Sequence, residues 1–212
     1  MIDLIEKLKD RLLHPLPGEI AQFKMAPKGR TRQQDLPDNI RHGGVMILLF
    51  IIDKKWNTIL IRRTEDGNHH SGQISFPGGR KDATDQDIIY TACRECEEEI
   101  GVPMNEINVL GTLSPLYIPP SNYLVTPTIG YVSTLQNYKA SEREVQEIIQ
   151  LPIELLFDDR IKNEKTVVPS SQLNTTIQTP VYELGEDTIV WGATAMMISE
   201  LEHIMKEIQT QH

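Results

Sequence analysis

The chain has 212 residues, 39% hydrophobic and 24% charged, a balance that suits one globular domain with a sizeable core and excludes a disordered or fibrous chain. A formal charge of −9 and a pI near 5.2 argue against a dedicated nucleic-acid binder, which carries a basic surplus. The longest apolar run, Val45 to Ile52, is too short to span a bilayer, Met1 to Leu13 lacks an uninterrupted apolar stretch, and two cysteines make no disulfide framework, so a cytoplasmic protein without a membrane partner is expected.

Ile2, Leu4, Ile5, Leu8, Leu12 and Leu13 recur at helical spacing before "HPLPGE" and predict an N-terminal helix. That helix could carry a homodimer contact, although packing on its own domain is the simpler reading. Lys24 to Arg41 is polar and punctuated by proline and glycine, which predicts a loop or linker with Lys28, Arg30 and Arg32 as solvated charge. Residues 1–40 are therefore read as helix and linker, and 41–212 as the main domain. "GGVMILLFII" and "TILIRR" predict two strands joined by a polar turn, the first buried on both faces, and "QISF" a short strand ending at "PGG". Beyond an acidic helix, "INVLGTLSPL" and "LVTPTIGYVS" are β-rich, "EVQEIIQLPIELLF" reads as a strand turning into a short helix, and "VY" and "DTIVW" as short strands. "TAMMISELEHIMKEI" closes the chain as an amphipathic helix. Strands early and late around a central helix predict an α/β sandwich with a mixed sheet.

The central helix crowds Glu95, Glu97, Glu98 and Glu99 into one five-residue window. Like charges at helical spacing cost roughly 0.2–0.5 kcal/mol per pair, so something should offset the repulsion. Thr84 with Asp87 resembles a capping box, Asp85 and Asp87 suit the positive N-terminal end, and Gly101 followed by Pro103 is a stop. Steps of about 100° place Ile89, Ala92, Cys93, Cys96 and Ile100 on a core face and gather Glu95, Glu98 and Glu99 in a separate stripe. Such a stripe is either a solvated acidic face or a hard-cation site, and the preceding Pro-Gly-Gly turn, which lets backbone approach a ligand, favours the second. Arg94 can pair with Glu98 at i,i+4 and hold it. "CREC" has C-x-x-C spacing but lies in the C-terminal half of its helix, where no dipole lowers a thiol pKa, and reads as core.

"GGRKDATDQDIIYTACRECEEEIGV" resembles the Nudix box, G-x5-E-x7-R-E-U-x-E-E-x-G-U with U aliphatic. Arg94, Glu95, Glu98, Glu99, Gly101 and Val102 match it. Fourteen residues rather than thirteen separate Gly79 from Arg94, and Gln86 stands where the box has its first glutamate. That longer form is similar to the coenzyme A pyrophosphatase branch of the family, as are Thr91-Ala92 and the upstream "ILIRRTEDGNHHSGQISFPGG", where Leu60, Arg63, Gly72 and Phe76 to Gly79 are in register and Asn68 replaces an arginine. The resemblance runs from about Arg41 to Leu201.

It implies an α/β/α sandwich with a catalytic loop-helix-loop, and metal-dependent hydrolysis of a nucleoside diphosphate linked to another group. On this resemblance Glu95, Glu98, Glu99 and the Gly79 carbonyl are the expected ligands of Mg²⁺ or Mn²⁺. Glu98, Arg94 and Glu144 form the expected catalytic set, Arg94 acting by orienting the glutamates and Glu144, beside Glu142 and Glu147, as base. Arg63, Asn68, Gly78 and Gly79 would contact substrate. The expected substrate is coenzyme A or a derivative, split into 3',5'-ADP and a 4'-phosphopantetheine product. NADH or ADP-ribose is the alternative, and a non-catalytic nucleotide sensor the third reading. His69 and His70 read as polar loop residues, Tyr123 as a possible adenine stack, and Trp191 as core.

Overall fold

In the computed structural model, which describes residues 2–32, 35–64, 72–135, 138–169, 175–185 and 187–210, the strand expected to be buried on both faces is β1 (Arg41–Ile52). Successive strand side chains point to opposite faces. Met46, Leu48 and Phe50 accordingly pack with Ala92, Cys93 and Cys96, while Ile47 and Leu49 join a second core with Leu201, Ile204 and Ile208. Asp53 and Lys54, both with positive φ (49° and 65°), turn the chain into β2 (Lys55–Arg63). A two-residue turn of this hand matches the twist of the paired strands.

β3 (Ile74–Ser75), β4 (Gly78–Arg80), α3 (Ile88–Ile100), β5 (Asn108–Thr112), β6 (Leu116–Ile118), β7 (Tyr123–Tyr131) and β8 (Val145–Pro152) follow. The eight-stranded sheet has the spine β3-β2-β1-β7-β5, with β4 on β1, β6 on β7 and β8 on β2. β1 and β7 run parallel and the other pairs antiparallel, so the sheet is mixed as expected. Along β1 the C-terminal half pairs with β2 and Gly43 to Val45 pair with β4, so the sheet divides beside the glycine turn.

A second, three-stranded sheet is made of β9 (Lys162–Val167), β10 (Ile177–Gly185) and β11 (Thr188–Trp191), which leads into α4 (Gly192–Thr210). β9, "KNEKTV", was not expected, because no face of it is buried; it is held by its ladder to β10. α3 and α4 cover opposite faces of the large sheet, giving the α/β/α arrangement.

The N-terminal helix is α1 (Ile2–Leu12), which lays Ile5 and Leu8 into the α4 core and pairs Arg11 with Glu207 at 2.8 Å. A short α2 (Glu19–Gln22) follows, also unexpected from its four residues. It is pinned by Glu200, a fully buried carboxylate of α4 that accepts from the Gly18 amide (3.0 Å), the Gln22 side-chain amide (2.8 Å) and the Ser114 amide (3.3 Å). A buried carboxylate without a cation needs such donors, and the clamp ties the N-terminal segment to the body of the domain.

Candidate active site

α3 begins at Ile88, later than a capping box on Thr84 would place it, because Asp87 is the cap and accepts from the Tyr90 amide at 2.7 Å. The helix ends as expected, at Gly101 in the left-handed conformation (φ 73°). β4 lies directly against it. The Gly78 amide donates to Glu99 Oε2 at 2.8 Å, and an added Cβ on Gly79 would stand 2.5 Å from the Glu95 carboxylate carbon.

The two glycines should therefore answer differently to alanine. At Gly78 the new Cβ would meet backbone, the Gly44 carbonyl and Val45 Cα (2.6 Å), neither of which can move. Gly78→Ala is expected to lower stability by about 2–3 kcal/mol, roughly 5–10 °C in melting temperature. At Gly79 the obstacle is the end of a flexible side chain. Gly79→Ala should melt within a few degrees of wild type while displacing Glu95 and cutting turnover at least about tenfold. Paired melting curves and rates for the two variants check this.

Arg94 is the hub of the acidic cluster. Its Nε and Nη2 each donate to Asp85 at 3.0 Å, Nη1 reaches Glu95 at 2.9 Å and Glu98 at 3.0 Å, and Nη2 also donates to the Arg80 carbonyl at 3.2 Å. The expected pair with Glu98 is present, but Asp85 is the stronger partner. Asp85, placed in the first helical turn by the sequence pattern, lies before the helix, buried, and also accepts from Thr91 Oγ1 and the Asp82 amide, both at 2.9 Å. The Arg94 guanidinium holds its carboxyl far below the usual range, against the opposing effect of burial.

The acidic stripe is a gradient. Glu98 is 54% exposed, Glu95 is half-buried, and Glu99 is only 1% exposed, so the stripe is not a uniformly solvated acidic face. Helical geometry alone places Glu99 at the margin of the core face, and the sheet edge with Arg63 closes over it. Arg63 Nη1 stands 3.1 Å from Glu99 Oε1. Burial first, with Glu95 and Glu144 adding repulsion, pushes the Glu99 pKa up to about 7 in spite of Arg63 and the Gly78 amide. Burial likewise pushes Glu95 up, opposed by Arg94.

Glu144 is near enough to raise both glutamates. Its loop is anchored on two sides, since the Ser141 amide donates to the Glu99 carbonyl at 2.9 Å and the Thr64 amide to the Glu144 carbonyl at 3.1 Å. Glu147 instead pairs with Arg62 at 3.0 Å, and Glu142 is exposed beside Thr64 and Gln146. Among the described residues no three His, Cys, Asp or Glu side chains are gathered in metal-binding geometry. The donors that are present are nonetheless all oxygen, and the upward pull that burial, with added repulsion among the carboxylates, exerts on Glu95 and Glu99 is what a hard dication would relieve.

A cavity of about 600 Å³ opens at the other side of the glycine turn, bounded there by Arg63, Gly78, Gly79 and Arg80 and at its far wall by Ile177, Trp191 and Met197. Trp191 is half-buried in this wall and outside the core, correcting the core reading; Tyr123 lines the cavity too. Arg30, taken as solvated linker charge, is half-buried in the same wall. Asn68, His69 and His70 lie outside the described residues. Cys93 and Cys96 are buried, as the reading of "CREC" as core requires.

A mixed sheet between helices, with a glycine turn leading to an acid-bearing helix beside an arginine-lined cleft, defines an α/β/α domain with a cationic cleft next to a row of carboxylates. The NUDIX domain family model matches residues 40–168. The chain is 33% identical over 174 residues to an uncharacterized Nudix hydrolase, NudL, of Pectobacterium atrosepticum, covering 80% of this chain and 88% of the relative. It is 34% identical over 167 residues to the NudL of Photorhabdus laumondii, covering 78% and 86%. Among solved structures, a Nudix hydrolase from M. smegmatis, RenU, superposes with a TM-score of 0.54 over 87% of this chain and 94% of that one, at 15% identity, a likeness of fold. The chain belongs to the Nudix family and is a hydrolase acting on phosphorus-containing anhydrides of the nucleoside diphosphate-X kind.

Proposed function

We propose that the enzyme hydrolyses the diphosphate bond of coenzyme A or its derivatives, giving 3',5'-ADP and a 4'-phosphopantetheine product. The observation that carries this reading is the two-ended cleft, polar and arginine-lined at the Gly78-Gly79 turn and apolar at Ile177, Trp191 and Met197, reached by a sequence with the longer Nudix box and upstream motif of that branch. Its volume lies in the range of drug-sized sites. A nucleotide and the first part of a pantetheine arm suit such a site, with the arm's end beyond the mouth.

Glu95, Glu98, Glu99 and the Gly79 carbonyl are the proposed ligands of Mg²⁺ or Mn²⁺, an ion that when bound neutralises diphosphate charge and lowers the pKa of water. Arg94 orients Glu95 and Glu98 through the contacts above. Arg63, Gly78 and Gly79 are the proposed contacts of the diphosphate, and the likeness of the upstream motif adds Asn68 to that set. Glu144 takes a proton from the attacking water as its oxygen bonds to phosphorus and the bridging P–O bond breaks, leaving two phosphomonoesters. Glu144→Gln is expected to lower kcat about 100-fold or more with an unchanged melting curve, whereas Glu142→Gln and Glu147→Gln stay within about threefold. Equal losses in all three would remove Glu144 from this role.

A second reading, hydrolysis of NADH or ADP-ribose, is favoured by one feature, Asn68 in place of the arginine of the upstream motif. A nucleotide sensor is disfavoured by the full Arg94, Glu95, Glu98 and Glu99 cluster, whose repulsion a silent domain has no reason to keep. Ranking kcat/KM for coenzyme A, NADH and ADP-ribose with Mg²⁺ or Mn²⁺ tests the proposal: coenzyme A ranks first if it holds, and another substrate ranks first if it does not.

A further inference from the structure

We infer that Arg30 and Arg41 form a second anion site in the cleft, which takes a phosphomonoester carried on the ribose of the substrate and so sets selectivity. The inference deepens the proposed function and rests on it for the identity of the substrate.

On a chain of net charge −9, the described residues lining this cleft include four arginines, Arg30, Arg41, Arg63 and Arg80, and no aspartate or glutamate. A cleft of opposite sign to its protein concentrates anions. Arg63 and Arg80 stand beside the glycine turn, and Arg63 is already paired with Glu99. The other two lie elsewhere, and a diphosphate at the turn does not account for them.

Of Lys28, Arg30 and Arg32, Arg30 is the one that turns inward. Lys28 is exposed and pairs with Glu164 at 2.9 Å, and exposed Arg32 stands 3.4 Å from Glu19. Arg30 Nη2 donates to the Tyr117 carbonyl at 2.5 Å, and the guanidinium lies 5.9 Å from the centre of the Phe23 ring. A guanidinium has five N–H donors. Among the described residues this carbonyl is the acceptor it reaches, and no carboxylate contacts it. Holding a cation half-buried with so little compensation is unfavourable unless an anion completes it. Burial lowers its pKa, with the charge of Glu19 opposing.

The sheet register locates the pair. Ile118 on β6 is opposite Tyr123 on β7, and Tyr123 is opposite Arg41 on β1, whose guanidinium stands 5.8 Å from the Tyr123 ring centre. With strands about 4.8 Å apart, the Tyr117–Ile118 segment that Arg30 grips and the backbone of Arg41 are roughly 10 Å apart, leaving room for a phosphate between two long side chains. Arg41, Gly43 and Val45 share one face of β1 and all line the cleft. Gly44 is opposite Gly79, so Arg41 lies three residues, roughly 10 Å, along the strand from the glycine turn. A phosphate there is separate from the diphosphate and about a ribose away from it.

The test compares kcat/KM for coenzyme A and 3'-dephospho-coenzyme A in wild type, Arg30→Gln and Arg30→Lys, with melting curves as fold controls. Wild type should prefer coenzyme A. Arg30→Gln should cut that preference at least tenfold through KM, and Arg30→Lys should restore part of it. A preference unchanged in Arg30→Gln while both substrates fall together would reduce Arg30 to a prop for Tyr117 and Phe23 and overturn the inference, as would a wild type without preference. If Arg30→Gln melts early, exposed Arg41→Gln takes its place with the same two outcomes. If neither compound is cleaved but NADH is, the coenzyme A reading fails on its own. NADPH against NADH then decides the arginine site, a lost preference supporting it and an unchanged one overturning it.

Discussion

Replacing Glu99 by glutamine is expected to lower kcat/KM by more than about 100-fold in a protein that remains folded. Losing a residue that merely supports a metal ligand costs about 10- to 100-fold, and Glu99 is proposed as a ligand itself. The side chain is buried, with one oxygen facing the Gly78 amide and the other Arg63. A glutamine fills the same space but turns its NH₂ toward one of those donors and brings no charge. Stability should change in a particular direction with pH. A carboxyl raised by burial to about 7 contributes stability that is present below its ordinary range and lost as pH rises through that value. In the metal-free protein, Glu99→Gln should therefore compare best with wild type near pH 8 and worst near pH 5. Melting curves at the two pH values, beside rates with Mg²⁺, check both halves; a rate loss smaller than about tenfold would contradict the ligand role.

The second large effect belongs to Asp85→Ala. Removing one partner of a buried ion pair costs about 3–5 kcal/mol because the other is left uncompensated. Here Arg94, 18% exposed, would keep Glu95, Glu98, a carbonyl and a looser contact to the exposed Asp82 carboxylate at 3.9 Å, while Thr91 and the Asp82 amide lose their acceptor. A melting temperature lower by roughly 10 °C or more is expected, with turnover reduced beyond tenfold because a guanidinium no longer fixed by Asp85 shifts the two glutamates it still holds. The pH dependence runs opposite to that of Glu99. A carboxyl held below its ordinary range contributes stability that is present above that range and lost as pH falls, so wild type should lose its advantage over the variant in acid. An advantage that is the same at pH 7 and in acid would mean that Asp85 is not held as an ion.

The helix that carries the site was legible because its apolar period and its stop are local signals. Cys93, Cys96 and Ile100 are buried, and Gly101 ends α3 in the left-handed conformation. The two faces of β1 were legible for the same reason, since an unbroken apolar run has no solvent side. What escaped was set by partners distant in sequence. Helical spacing groups Glu95, Glu98 and Glu99 together, but only the approach of β4 and Arg63 buries Glu99. Asp85 looks like a helix-end charge until Arg94, nine residues on, claims it. Arg30 is indistinguishable from Lys28 and Arg32 in a polar linker, and its inward turn depends on the carbonyl of Tyr117, 87 residues away. Trp191 could be placed in the cleft wall only once the second sheet was known to lead into α4 there.

On the proposed function, a diphosphate bond of coenzyme A is broken at a site organised by the α3 glutamates. The most direct test of that function is the identification by mass of the products formed from coenzyme A with and without added Mg²⁺ or Mn²⁺. The expected products are 3',5'-ADP and 4'-phosphopantetheine in equal amounts, formed only when the metal is supplied. Intact coenzyme A under all conditions, or release of inorganic phosphate alone, would contradict it.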